Sequence, residues 1–157
     1  MRKHFSTILH QSMKEDDKIY LIAADLGFGL FESIQKDFPD RYINPGAAEQ
    51  LAMGIATGLA LEGKKPFLYS ITPFAILRPF ELIRTYIKHE NIPVQIAGAG
   101  VDKDYLHDGI SHWATDIPKI LKAIEIPCFS PTDLKELEQN FERIIRFKTP
   151  SVLLLRR

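Results

Sequence analysis

The chain has 157 residues, of which 45% are hydrophobic and 25% charged, with 20 basic side chains balanced by 20 acidic ones. That length and mixture suit one globular domain with a sizeable core and exclude a disordered tail. The zero net charge gives no electrostatic case for nucleic acid or an anionic membrane and offers little resistance to self-association.

A lone cysteine, Cys128, excludes an internal disulfide and makes a cytoplasmic location the default. The N-terminal stretch lacks the apolar segment of a signal peptide. No window reaches the ~18 consecutive apolar residues that a spanning helix needs.

In chain order, Phe5, Ile8, Leu9, Ser12 and Met13 follow helical spacing, so an amphipathic helix is predicted to end near Lys14 to Lys18. Ile19 to Ala24 is a continuous apolar run, the mark of a strand buried on both faces. Asp25 to Gly29 reads as a turn, Leu30 to Asp37 as a short helix and Phe38-Pro39-Asp40 as its end. Tyr42-Ile43 is a short strand, and Asn44-Pro45-Gly46 turns the chain into a helix that runs to about Leu61, with Gly63 near its C-cap.

Pro66 to Ile71 is the next strand and Thr72-Pro73-Phe74 a loop. Ala75 to Glu90 is predicted as one helix with Pro79 in its first turn. Pro93 to Ala99 is a strand, Gly100 to Ser111 a polar loop, and His112 to Ile124 a helix broken or started by Pro118. Cys128 to Ser130 is a short strand. Asp133 and Glu136 form the capping pair of a helix to about Lys148. Ser151 to Leu155 is the last strand.

Strands that are apolar throughout and alternate with helices predict an α/β fold: a three-layer α/β/α domain, residues 1–157, on a mostly parallel six-stranded sheet. Ligands of such sheets sit beyond the C-terminal strand ends. Those ends carry Asp25, Asn44 to Glu49, Thr72 to Phe74, Gly98 to His112, and Ser130 to Asp133.

The run Arg41-Tyr42-Ile43-Asn44-Pro45-Gly46-Ala47-Ala48-Glu49-Gln50, continued by Gly54, Gly58-Leu59-Ala60, Gly63 and Pro66, resembles the pyrimidine-binding domain of transketolase-like, thiamine-diphosphate-dependent enzymes. Ala24-Asp25-Leu26, Asp108-Gly109-Ile110-Ser111-His112 and Ser130-Pro131-Thr132-Asp133 agree with the family in order and spacing, so the resemblance covers nearly the whole chain. The chain departs from the pattern at Ala47, where isoleucine is usual, and at Ile110-Ser111, which replace Pro-Thr. The Gly-Asp-Gly that holds the diphosphate in the family is missing, as is the family's C-terminal domain. The resemblance therefore implies one component of a split enzyme, or a piece of a longer one.

By that resemblance, Glu49 hydrogen-bonds N1′ of the cofactor aminopyrimidine and so promotes loss of the C2 proton. Burial in a dry pocket would disfavour its charge, whereas the helix N-terminus would favour it. Read without the resemblance, Glu49 is an acidic residue favoured in a helix's first turn. Phe74 falls near the aromatic positions that pack on the aminopyrimidine, though it reads equally as core. Asp25 and Ala47 would lie near the cofactor, with Asp25 alternatively a brace of the interface between chains or a plain turn former.

His112 matches a family histidine that contacts substrate and takes part in catalysis. His107, in the same loop, and Arg84, where the family commonly has arginine, join it as candidate substrate ligands. The small residues Ala52, Gly54, Ala56, Gly58 and Ala60 fit either an interface between chains or a tightly packed buried helix. No metal ligand set is present. The resemblance implies that Mg2+ is bound by a partner subunit that also carries the diphosphate.

The implied function is transfer of a two-carbon ketol unit between sugar phosphates, by a component inactive alone, with self-association as well as a partner. The alternatives are a subunit of a 2-oxoacid decarboxylase or dehydrogenase of the same fold, and a non-catalytic binding domain.

Overall fold

A computed structural model describes residues 1–157. The helices are α1 (Arg2–Glu15), α2 (Glu32–Asp37), α3 (Glu49–Leu61), α4 (Thr72–Leu77), α5 (Phe80–Leu82), α6 (Ile117–Ala123) and α7 (Leu134–Ile144). The strands are β1 (Ile19–Ala23), β2 (Tyr42–Ile43), β3 (Lys65–Ile71), β4 (Gln95–Ala99), β5 (Cys128–Phe129) and β6 (Ser151–Leu155). All strands pair in parallel, in one six-stranded sheet of order β2-β1-β3-β4-β6-β5. The α/β class and the parallel sheet are those predicted from the apolar runs.

Successive strand residues point to opposite faces, and here both faces are covered. Ile22, Leu68, Ile96, Val152 and Leu154 pack with Ala52, Met53 and Ala56 of α3, Ile76 of α4 and Ile117 and Leu121 of α6. Their neighbours Leu21, Phe67, Tyr69, Ala97 and Leu153 pack with Phe5, Leu9 and Met13 of α1, Ile34 of α2 and Leu137 and Phe141 of α7. An alternating strand would need water on one side; these strands are largely apolar on both faces because neither side is wet.

Three predicted elements differ. Thr72-Pro73-Phe74 is not a loop but the first turn of α4. The predicted helix from Ala75 to Glu90 is interrupted. Pro79 lies beyond the end of α4, at φ −93° and ψ 21°, and the chain resumes as α5 and then a π-helical segment, Ile83–Ile87. Proline lacks the amide that a continuous helix would need, and its ring crowds the preceding turn. Finally, α6 begins only at Ile117, and His112 ends a separate 3-10 turn, Ile110–His112.

The α7 cap follows the predicted pair with one shift. The Asp133 carboxylate accepts from the Glu136 amide at 2.8 Å, while the Glu136 carboxylate accepts from the Thr132 amide at 2.7 Å. No helix is long and apolar enough to cross a membrane.

Candidate active site

The chain leaves β1 for the edge strand β2, then returns through α3 to β3 on β1's other side. That return sets the first residue of α3 at the C-terminal edge of the sheet. Gly46, at φ 79°, makes the turn before it, a conformation side chains oppose. The Asn44 side-chain oxygen accepts from the Gly46 amide at 2.9 Å and the Asp25 amide at 3.2 Å, tying the β2 loop to the β1 loop.

Glu49, the first residue of α3, is only 2% exposed. A buried carboxylate is costly unless its oxygens find donors. The hydroxyl of Ser70, near the end of β3, donates to Oε1 at 2.9 Å. The Arg78 guanidinium donates to Oε2 at 2.5 Å. The N-terminal end of α3 adds a favourable field.

Arg78 also lies over the Phe74 ring, 3.9 Å from its centroid, an arrangement attractive to a cation. Phe74 in turn meets the His112 ring edge-on at 4.8 Å. Glu49, Arg78, Phe74 and His112 thus form one connected row across the C-terminal ends of β3 and β4.

The Thr72 hydroxyl donates to the Gly100 carbonyl at 2.6 Å and fixes α4 against the end of β4. Gly98 permits this approach, since a Cβ there would lie 2.5 Å from the Thr72 hydroxyl oxygen and 3.2 Å from its Cα.

The family described as transketolase, pyrimidine binding domain, matches residues 1–157. The chain belongs to that family. It is 32% identical over 152 residues to a protein of Methanocaldococcus jannaschii named a putative transketolase C-terminal section, covering 96% of this chain and 48% of that protein. It is 31% identical over 140 residues to a protein of Actinobacillus succinogenes named as one subunit of an apulose-4-phosphate transketolase, covering 88% of this chain and 45% of that one.

A solved structure, described as a split gene transketolase, inactive beta4 tetramer, superposes with a TM-score of 0.86. It has 30% identity and covers 99% of this chain and 51% of the other. The chain spans about half the length of the curated relatives it matches.

The other candidate residues of this transketolase pyrimidine-binding domain lie apart from the row. Asp25, at φ 45°, and Ala47 are exposed on the rim of the same edge. His107 is exposed and makes no hydrogen bond or ion pair, and Arg84 is likewise exposed and unpaired on the π-helical segment. The His112 Nδ1 lies 3.0 Å from the Ser111 hydroxyl.

Arg78 and Ser70 were not among the residues singled out from sequence. A signal for Arg78 exists: it is the lone cation of the run from Ala75 to Phe80 and stands four residues after Phe74, the spacing of helical neighbours. Reading Thr72 to Phe74 as loop hid that relation. Ser70 carried no signal, because its role depends on α3 crossing over β3.

Two further groups are chemically quiet. Burial pushes the Cys128 thiol up to about 11, so it stays protonated at neutral pH. Burial likewise pushes the Tyr69 phenol up to about 12, and its hydroxyl has no hydrogen-bond partner. The nearby Arg2 donates instead to the Tyr105 hydroxyl, at 3.1 Å. No group of three or more His, Cys, Asp or Glu residues is placed to hold a metal ion.

Proposed function

We propose that this chain is the pyrimidine-binding component of a split thiamine-diphosphate-dependent transketolase-like enzyme, with Glu49 as the carboxyl that engages the cofactor aminopyrimidine. The observation that carries the reading is the buried Glu49 carboxylate at the start of α3, on the ligand edge of a parallel sheet, in a chain of this family. The residues present fit one half of that cofactor. A dry carboxyl beside a hydroxyl donor suits a ring nitrogen that shares a proton, and Phe74 offers an apolar face beside it.

Thiamine diphosphate would supply the carbanion chemistry of its thiazolium ring. This chain's part is to hold Glu49 away from water, to orient it through Ser70, and to present His112 toward substrate. On this reading the diphosphate and Mg2+ belong to the partner subunit. Phe28 and Ile110, 79% and 81% exposed in the segments after β1 and β4, are apolar side chains open to that partner. The relatives named as a section and a subunit of transketolases support a two-component enzyme.

The proposed reaction is transfer of a two-carbon ketol unit between sugar phosphates, bound in part by His112, with His107 and Arg84 as outlying candidates. Native capture of the chain from its source cells, with mass spectrometry of what accompanies it, tests the split enzyme. The expected result is a co-purifying protein that carries Gly-Asp-Gly and a downstream asparagine. Recovery of the chain only with itself would contradict it.

A further inference from the structure

Glu49 is a strange carboxylate to offer a ligand, because in the chain as it stands both its oxygens are taken and only 2% of the residue is exposed. No ring can reach it unless a neighbour moves. Ser70 is itself buried, 1% exposed, and sits on the central strand β3. Arg78 is different. Its side chain is 45% exposed, it lies past the end of α4 beside Pro79, and its only ion pair is the one with Glu49.

We infer that Arg78 is a displaceable latch on Glu49: it occupies the carboxylate oxygen that an aminopyrimidine ring would take, and leaves when the ring enters. The inference rests on the proposed role of Glu49 and adds to it a residue that acts through Glu49, a positioning residue.

The physical argument is one of exchange. A buried carboxylate stripped of its counter-ion is strongly unfavourable. Simple opening of the site is therefore disfavoured, while exchange is not: N1′ of the neutral ring has no hydrogen to give, so a proton from solvent enters with the ring and is shared between N1′ and Glu49 in place of the Arg78 charge. The guanidinium gives up a charge-assisted hydrogen bond and its place over Phe74, and regains water on a side chain already half in it. Departure of Arg78 also uncovers the Phe74 face, so one movement frees both the carboxylate and the flat surface beside it. The lone chain is thereby kept stable with its site closed.

The test uses the full 157-residue chain, 15N-labelled, and a bare aminopyrimidine, 4-amino-5-hydroxymethyl-2-methylpyrimidine, which needs no diphosphate site. Binding is read from amide shifts in wild type, Arg78→Met, Arg78→Lys and Glu49→Gln. Arg78→Met is expected to bind about tenfold or more tightly than wild type, the scale of one charged hydrogen bond removed from the competition. Arg78→Lys, which keeps the charge without the planar fork, should fall between them. In wild type the Arg78 Nε–H resonance, assigned by its loss in Arg78→Lys, should move to the position of a solvated arginine at saturation.

Equal or weaker binding by Arg78→Met, with binding lost in Glu49→Gln, overturns the latch and leaves the role of Glu49 intact. Wild-type binding by Glu49→Gln overturns the role of Glu49 itself. Absence of binding in every chain overturns the latch, since release of the carboxylate would then open no site. If Arg78→Met does not fold, the Nε–H resonance and Arg78→Lys decide: a resonance that stays in place while the ring binds contradicts displacement.

Discussion

At the N-terminal edge of the sheet the Arg41 guanidinium donates to the carbonyls of Met13, Asp16 and Ile19, at 2.9, 3.0 and 3.4 Å, and lies over the Phe38 ring. At the C-terminal edge Arg78 meets a single buried carboxylate and lies over the Phe74 ring. Both arginines use a fork and an aromatic face, yet their partners differ. The acceptors of Arg41 are backbone groups at the end of α1 and the start of β1, which no ligand can replace without unravelling the chain. The acceptor of Arg78 is a side chain that can take another partner in its place. The same residue type is a structural tie at one edge and a replaceable partner at the other.

Substitution at Arg41 should have the largest effect on the fold. Arg41→Ala is expected to lower stability by about 2–3 kcal/mol, the scale of a lost charged hydrogen-bond set, in a denaturant melt. It should leave aminopyrimidine binding unchanged, the reverse of Arg78→Met. A weakened site in a chain that still folds would break the division between the edges.

Gly98→Ala probes the C-terminal edge from below. The added methyl group meets Thr72 and should cost about 1–3 kcal/mol by overpacking. Because α4 must shift, the Arg78–Glu49 contact should loosen as well, seen in the Arg78 Nε–H resonance. A stable variant with that resonance unmoved would show that the Thr72 contact does not set Arg78.

The outer face of α3 gives a third test. Gly54 and Gly58 are exposed, and a Cβ at either meets nothing within 4 Å. Glycine within a helix costs about 1 kcal/mol relative to alanine, so Gly54→Ala should stabilise the lone chain by about that much. On the reading of this face as an interface, Gly54→Leu cuts association while leaving the fold. Undiminished association, measured by sedimentation, would remove the interface from this helix.

The smallest effect belongs to Asp16, which the Lys65 ammonium meets at 2.7 Å at the N-terminal edge. Burial alone would push its carboxyl up. The hydrogen bonds from the Lys65 side chain and the Lys18 amide, with both lysine charges, bring it below the ordinary value of 3.8. A carboxyl lowered by folding stabilises the protein above its unfolded value and loses that contribution as pH falls through the folded one. With both side chains partly in water the contribution is under about 1 kcal/mol. Stability lost below about pH 4 should therefore be slightly smaller in Asp16→Asn than in wild type, measured by urea melts across pH.

Much of the fold was legible because β1, β3, β4 and β6 each carry a largely apolar run on both faces, and that pattern has few solutions besides a covered parallel sheet. The breaks at Pro79 and before Ile117 were less legible, because apolar spacing continues across them while the backbone does not. For the site, the resemblance around Glu49 directed attention to the C-terminal edge of the sheet, where that carboxylate is buried. It also drew in Arg84 and His107, which stand exposed and unpaired, and passed over Arg78. The pairings Glu49–Ser70 and Glu49–Arg78 span 21 and 29 residues, and no local pattern records them.

The most direct test of the central claim is exchange of the thiamine diphosphate C2 proton, followed by NMR in the assembled two-component complex, with wild-type chain and with Glu49→Gln. The account predicts exchange slowed about a hundredfold or more in Glu49→Gln, the scale of a lost acid–base partner, with the complex still assembled. Exchange at the wild-type rate would contradict it.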